Sequence, residues 1–288
     1  MYAELKEVWA ELTGPGGQFE ITEVDVRGQT LKAYAGAPPS LREVWQLAAG
    51  HGDTEYLVYQ DERRTYAQAQ AESAALGAWL VDQGVGPGDR VAIGMRNYPE
   101  WMISYWAVVS IGAAVVGINA WWTPAELTYA LEDSTPKVII ADTERHERMV
   151  ESGALGDTPV IGVRMEPTEG VTPWAEVIAG GGTMPEVAVD PDSDACIFYT
   201  SGTTGFPKGA QLTHRGCVNN IMSLAFWNTA SAMASARAGK APDSLLGDDA
   251  GADSEPKPQT AALVCTPCLL YTSPSPRDAT LSRMPSSA

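Results

Sequence analysis

The stretch WMISYWAVVSIGAAVVGINAWWTPA, residues 101–125, decides the fold class. It contains no charged residue, and its length would allow a membrane span. Its Gly, Ser and Asn residues weaken the apolar run, and the pattern divides better into a helix over residues 99–111, a turn at Gly112 and a strand over residues 113–118. A buried helix followed by a buried parallel strand also lacks charges, because neither element is in contact with water. We therefore predict these two elements and no transmembrane helix.

Strands and helices alternate on both sides of this pair. Further strands are predicted at residues 90–94, 137–142, 159–163, 196–199 and 260–264, and helices at residues 65–81, 124–131, 143–150 and 212–233. Hairpins are predicted at residues 19–33 and 56–66, and Ser40 with Glu43 forms a predicted capping box. Residues 178–183 are expected to form a loop. Alternation of this kind predicts an α/β fold with a parallel sheet.

Composition limits the partners and the compartment. The 288 residues are 44% hydrophobic and 19% charged, which is enough apolar material for a sizeable core. The net charge of −17 argues against nucleic acid as a main partner, because an acidic surface repels phosphate backbones. Four cysteines are too few for a disulfide framework, and residues 1–14 contain no apolar signal segment. We predict a cytoplasmic protein.

The final segment, residues 268–288, has neither helical nor strand periodicity. It resembles the translation of a transposon-type sequencing adapter, with two matching blocks around three variable positions. The alternative is a genuine Ser/Pro-rich disordered tail. We expect the natural residues of this sequence to end near Pro267, at a point where a longer protein has been cut. The Cys265-Thr-Pro-Cys268 pair, which looks like a redox motif, is then an accident of the junction.

Residues 199–209, YTSGTTGFPKG, combine three glycines, several hydroxyls and one lysine. Glycines let successive backbone N–H groups converge on one anion. Hydroxyl groups reach phosphate oxygens without bulk, and Lys208 adds a point charge that suits a polyphosphate. The pattern predicts a nucleoside triphosphate site and differs from the Walker loop, since Phe206 and Pro207 separate Gly205 from Lys208. The competing interpretation is an ordinary Ser/Thr/Gly surface loop.

The same segment resembles the signature of the adenylate-forming (AMP-binding) enzymes, of which acyl-CoA synthetases are one type. QLTHR at residues 211–215, GPGDRVAI at 86–93, NYPEW at 97–101 and GAAVVGIN at 112–119 also match, in the family's order. The resemblance covers residues 40–267. It implies the N-terminal part of a large α/β domain with layered sheets and helices. The hairpin extension at residues 1–39 precedes this domain, and the Gly, Asp, Ala and Pro content of residues 234–258 predicts a flexible surface insert.

The resemblance also implies a chemistry. Such enzymes react a carboxylic acid with Mg²⁺-ATP to give an acyl-adenylate and pyrophosphate, and a thiol, usually coenzyme A, then displaces AMP. The residues that would hold the β- and γ-phosphates are Thr200, Ser201, Gly202, Thr203, Thr204, Gly205 and Lys208. Thr200 or Ser201 could also approach Mg²⁺. The family's adenine, Mg²⁺-carboxylate and catalytic lysine motifs are missing from this sequence, so we nominate no catalytic base and expect the chain alone to be inactive.

Three interpretations of function stay open. The leading one is an N-terminal fragment of an ATP-dependent acid–CoA ligase, with a long-chain fatty acid as the favoured substrate and peripheral membrane contact left open. The second is an adenylation module that loads a carrier protein, and the third is a partial nucleotide-binding module without turnover. The three histidines, His51, His146 and His214, are expected to be structural or solvated.

Overall fold

The computed structural model describes residues 2–200 and 207–239 of the chain. Its helices are α1 (Tyr2–Thr13), α2 (Leu41–Ala48), α3 (Tyr66–Asp82), α4 (Pro99–Ser110), α5 (Pro124–Ser134), α6 (Thr143–Ser152), α7 (Trp174–Ala179) and α8 (His214–Arg237). Its strands are β1 (Ile21–Val26), β2 (Gln29–Tyr34), β3 (Glu55–Tyr59), β4 (Glu62–Thr65), β5 (Arg90–Gly94), β6 (Ala114–Gly117), β7 (Val138–Asp142), β8 (Val160–Val163), β9 (Val171–Pro173), β10 (Asp194–Thr200) and β11 (Lys208–Thr213).

Within the described residues, the central sheet has seven strands in the order β11-β10-β6-β5-β7-β8-β9. Neighbouring strands from β10 to β9 are parallel, and only the pair of β10 and β11 is antiparallel. The predicted α/β class with a parallel sheet is therefore confirmed. The inner strands β5, β6 and β7 are buried almost throughout, which explains why their sequences are apolar apart from Arg90 and Asp142 at two strand ends.

The charge-free stretch forms the predicted helix and strand. Both α4 and β6 lie in the core, and Gly112 turns the chain between them with φ of +74°. A side chain at Gly112 would meet the ring of Pro87 at 3.3 Å, so both conformation and space require glycine there. In the part of the chain that the structure describes, no helix has the length and apolarity needed to span a bilayer.

The region after the predicted phosphate loop differs from the prediction made for it. Residues 208–213 form the edge strand β11, and α8 begins only at His214, where the Thr213 hydroxyl accepts a hydrogen bond from Gly216 N–H at 3.1 Å. The predicted helix start at Leu212 was wrong because pairing with β10 overrides the local pattern. At its other end α8 continues through Arg237, so residues 234–237 are helical and do not belong to the predicted insert.

The N-terminal segment packs on α8. The predicted first hairpin is confirmed as β1 and β2, but α1 was not predicted. Its apolar contacts are shared between α1, the following loop and α8, and they involve Val8, Leu12, Phe19, Phe226, Ala230 and Ala234. Leu5, Val8 and Leu12 form an apolar stripe along α1, and the partner helix α8 lies more than 200 positions away along the chain.

Local caps largely follow the sequence. Thr65 with Gln68 and Thr123 with Glu126 form complete capping boxes at α3 and α5. Ser40 caps α2, but its hydroxyl accepts from Arg42 N–H and contacts the Glu43 carboxylate, so the predicted reciprocal box is incomplete. The second predicted hairpin is β3 and β4, and α7 reaches into the loop predicted from residue 178. The predictions for residues 201–206 and for the segment beyond residue 239, including the strand at 260–264 and the adapter-like tail, lie outside the described residues.

Candidate functional site

The candidate site lies at the carboxyl edge of the sheet. Because β5, β6, β7, β8 and β10 run parallel, their C-terminal ends meet at one edge, and ligands of open α/β sheets bind outside this edge. β10 ends there at Thr200, and residues 201–207 connect it to β11. The predicted phosphate loop is thus a hairpin connection at the edge where a ligand is expected.

The two ends of this connection face each other. Thr200 and Lys208 are register partners at the ends of β10 and β11, and the Thr200 hydroxyl lies 3.5 Å from the Lys208 carbonyl oxygen, to which it donates. Both residues are exposed. The other predicted phosphate contacts, Ser201, Gly202, Thr203, Thr204 and Gly205, lie outside the described residues. Of the two described residues, the Lys208 ammonium suits an anionic ligand, whereas the Thr200 hydroxyl hydrogen is directed at the Lys208 carbonyl oxygen.

Tyr199 anchors the start of the loop. Its hydroxyl donates to Asp133 Oδ2 at 2.5 Å and lies 3.4 Å from the Ala130 carbonyl oxygen, both in the last turns of α5. Burial, reinforced by the Asp133 carboxylate, raises the pKa of Tyr199 well above its usual range, so the phenol stays protonated. Its ring packs edge-to-face on Trp122 at 5.7 Å. Sequence analysis gave Tyr199 only as part of the motif and did not identify Asp133.

A buried ion pair between Arg145 and Asp142 lies at the carboxyl edge of the sheet, beside the crevice between β5 and β7. The chain steps from β5 to β6 on one side of β5 and then crosses to β7 on the other, which makes this the point where strand order reverses. There, buried Arg145 donates from Nη1 to both Asp142 carboxylate oxygens at 3.0 Å and from Nε to the Ala120 carbonyl at 3.2 Å. The Arg96 backbone N–H also donates to Asp142. Sequence reasoning missed this pair, since a helical Arg-rich segment ordinarily indicates a solvated face.

The histidines have structural surroundings. His214 is fully buried, and its Nδ1 accepts a hydrogen bond from Leu41 N–H at 3.3 Å. Burial lowers the pKa of His214 to about 4, so the ring is neutral near pH 7. His51 lies against the ring of Tyr66 at 4.7 Å, and His146 is buried on α6. Over residues 2–200 and 207–239, no three His, Cys, Asp or Glu side chains are grouped closely enough to hold a metal ion.

The fold and this edge define an open α/β protein with a Gly/Thr/Lys hairpin where nucleotides commonly bind. Residues 44–242 match the model of the AMP-binding enzyme family, and the chain belongs to that family. The matched range includes the whole seven-stranded sheet and the loop between β10 and β11.

Curated relatives and solved structures agree with this assignment. The chain is 34% identical over 160 residues to 4-coumarate–CoA ligase 3 of Oryza sativa subsp. japonica, covering 56% of this chain and 29% of the relative. It is 33% identical over 201 residues to the medium/long-chain-fatty-acid–CoA ligase FadD6 of Mycobacterium tuberculosis, covering 67% and 32%. The solved anthranilate–CoA ligase with bound anthranoyl-AMP superposes with a TM-score of 0.58 at 27% identity, over 61% of this chain and 35% of that one. The chain thus spans about a third of the length of these relatives.

Proposed function

We propose that this chain is the phosphate-binding part of an ATP-dependent carboxylic acid–CoA ligase. In the reaction, a carboxylate attacks the α-phosphorus of ATP, pyrophosphate leaves, and the thiol of coenzyme A then displaces AMP from the acyl-adenylate. The observation that carries the proposal is the hairpin between β10 and β11, which presents the exposed residues Thr200 and Lys208 at the carboxyl edge of the sheet. Membership of the AMP-binding family and CoA-ligase relatives support it.

The proposed roles of the loop follow from charge. Negative charge shifts onto the β-phosphate side as pyrophosphate leaves, and preorganised donors at that place lower the barrier. Lys208 supplies a fixed positive charge, while Thr200, Ser201, Thr203 and Thr204 supply hydroxyl donors. Gly202 and Gly205 allow the backbone to approach the phosphates closely. Bound Mg²⁺ would supply further neutralisation of the same charge, and Thr200 or Ser201 would be the residues that approach it.

The acid class is a finer proposal. A long-chain fatty acid is our favoured substrate, supported by the name of the mycobacterial relative, whereas the rice relative is named for an aromatic acid. A long-chain acid would reach the enzyme from a membrane surface. If the substrate is such an acid, the enzyme would also contact the membrane peripherally. We place the enzyme in the cytoplasm, in keeping with the unpaired thiols of Cys196 and Cys217, whose sulfurs lie 3.9 Å apart.

The test is acid-dependent exchange of labelled pyrophosphate into ATP by the product of the complete reading frame that contains this chain. The acids are hexadecanoate, octanoate, 4-coumarate and 4-hydroxybenzoate, and thioester formation is measured with coenzyme A and with a phosphopantetheinyl carrier protein. We expect exchange with at least one acid and thioester formation with free coenzyme A. Exchange followed by transfer to the carrier protein alone would overturn the CoA assignment, and no exchange with any acid would overturn the ligase proposal.

A further inference from the structure

The phosphate loop is tied to a helix that contributes no residue to its sequence motif. Tyr199 is the residue immediately before Thr200, and its hydroxyl contacts Asp133 and the Ala130 carbonyl in α5. Asp133 itself is exposed, and its short contact with Tyr199 is therefore a polar link at the margin of the core. The carboxylate acceptor makes this a charge-assisted hydrogen bond, which is stronger than a bond between neutral groups.

The ring of Tyr199 also lies beside the second arm of the loop. Tyr199 and Gly209 are register partners across β10 and β11. A Cβ atom at Gly209 would lie 3.5 Å from Cε1 and Cζ of the Tyr199 ring, so the ring covers this glycine directly. Gly209 follows Lys208, and the position of the Tyr199 ring consequently bears on both ends of the connection.

The helix α5 is a fixed support for this contact. Thr123 and Glu126 cap its start reciprocally, and Leu127, Ala130 and Leu131 bury its inner face beneath the sheet. α5 is held at its start and along its inner face. The hydrogen bond that the Tyr199 hydroxyl donates to Asp133 in the last turn of this helix therefore holds the tyrosine side chain in one position.

We propose that Asp133 is a positioning residue for the phosphate loop: it fixes Tyr199, and through Tyr199 it fixes Thr200 and Lys208 for the ATP phosphates. This rests on the proposed function for its catalytic consequence, while the structural link between Asp133 and the loop ends stands separately. Asp133 does not touch the nucleotide in this proposal. The competing explanation is that the contact adds only to the stability of the fold.

The experiment compares Asp133→Ala, Asp133→Asn and Tyr199→Phe with the wild type, in the product of the complete reading frame. Glu132→Ala is the matched control, because Glu132 is an exposed carboxylate on the same turn of α5. Three quantities are measured: kcat/KM for ATP in the adenylation half-reaction, the rate of thioester formation from supplied acyl-adenylate, and amide hydrogen exchange at Thr200 and Lys208–Ala210.

We expect Asp133→Ala and Tyr199→Phe each to lower kcat/KM for ATP by about tenfold, as loss of a hydrogen bond to a charged group would do. The double variant should lose no more than either single one, because both remove the same bond. Asp133→Asn, which retains an acceptor oxygen, should restore most of the activity. The rate of thioester formation should be that of the wild type in all variants, and Glu132→Ala should match the wild type in all three measurements. Amide hydrogen exchange at the loop ends should be faster only in Asp133→Ala and Tyr199→Phe.

Two results would overturn the proposal. One is unchanged hydrogen exchange at the loop ends in Asp133→Ala and Tyr199→Phe. The other is a lowered melting temperature with unchanged kcat/KM for ATP, which is the signature of a purely structural contact. If the wild type adenylates no acid, the proposed function fails. Amide hydrogen exchange at Thr200 and Lys208–Ala210 then decides by itself whether Asp133 positions the loop.

Discussion

The Nδ1 atom of His214 accepts a hydrogen bond from the backbone N–H of Leu41 at 3.3 Å, which joins the first residue of α8 to the first residue of α2. The imidazole is fully buried there. An acceptor nitrogen must be unprotonated, and burial also disfavours the charged ring, so both the geometry and the lowered pKa require neutral His214 in the folded protein.

This contact predicts a specific loss of stability in acid. The folded pKa of about 4 lies below the ordinary value of 6.5, so the unfolded state binds the proton first as pH falls. The stability contributed by neutral His214 is complete above pH 6.5 and declines as pH falls from 6.5 to 4. The slope is about 1.4 kcal/mol per pH unit for one such proton, giving a total of roughly 3 kcal/mol. Urea unfolding between pH 4 and 7 should show a flatter pH dependence for His214→Gln.

Exposed His51 provides the control for the acid prediction. His51→Gln should keep the pH dependence of the wild type, because this side chain remains accessible to water. Identical slopes for His214→Gln and the wild type would show that His214 does not contribute to acid sensitivity.

The buried ion pair at the β5–β7 crevice predicts a large destabilisation when one partner is removed. Arg145 is 1% exposed and Asp142 is 4% exposed. Arg145→Met leaves the Asp142 carboxylate buried without its guanidinium, and such changes cost about 3–5 kcal/mol. We expect a loss of this size in the free energy of unfolding measured with urea.

A matched substitution at the surface separates burial from charge. Arg237 pairs with Glu11 in an exposed position, and Arg237→Met should change the free energy of unfolding by about 1 kcal/mol or less. Equal losses for Arg145→Met and Arg237→Met would contradict the assignment of Arg145 as a core element.

Gly209 predicts a packing effect beside the loop. A Cβ atom at this position would lie 3.0 Å from Ile197 Cγ2, closer than ordinary van der Waals contact. Because the Ile197 methyl must move by a few tenths of an ångström, Gly209→Ala should lower the free energy of unfolding by about 1 kcal/mol. Gly36→Ala is the control, since no atom lies within 4 Å of the added methyl group and its φ is not positive. A Gly209→Ala protein as stable as Gly36→Ala would show that β10 and β11 are not packed as described.

Much of the fold was predictable because it depends on local or periodic signals. The charge-free run around Gly112 predicted α4 and β6, and the caps at Thr65 and Thr123 marked two helix starts correctly. β11 was missed because its pairing with β10, rather than its own composition, makes it a strand.

The site was predictable only in part. The loop motif identified Thr200 and Lys208, which the structure places opposite each other. Asp133 could not be identified from sequence, because its role depends on Tyr199, 66 positions away along the chain. Arg145 lies only three residues after its partner Asp142, but its burial at the edge of the sheet is not visible in that local sequence.

The central claim is that the loop between β10 and β11 binds the ATP phosphates, and Lys208→Ala tests it most directly. The two half-reactions are measured separately in the product of the complete reading frame, with Lys32→Ala as the control because Lys32 is an exposed strand lysine on the separate two-stranded sheet. Removing one preorganised donor that acts on developing charge typically lowers the rate by about 10²–10³-fold. Because neighbouring donors in the loop can compensate in part, we expect a fall of about 10²-fold or less. Adenylation should fall by this factor, while thioester formation from supplied acyl-adenylate should change little, since pyrophosphate has already left. Adenylation at the wild-type rate in Lys208→Ala would contradict the phosphate-loop assignment.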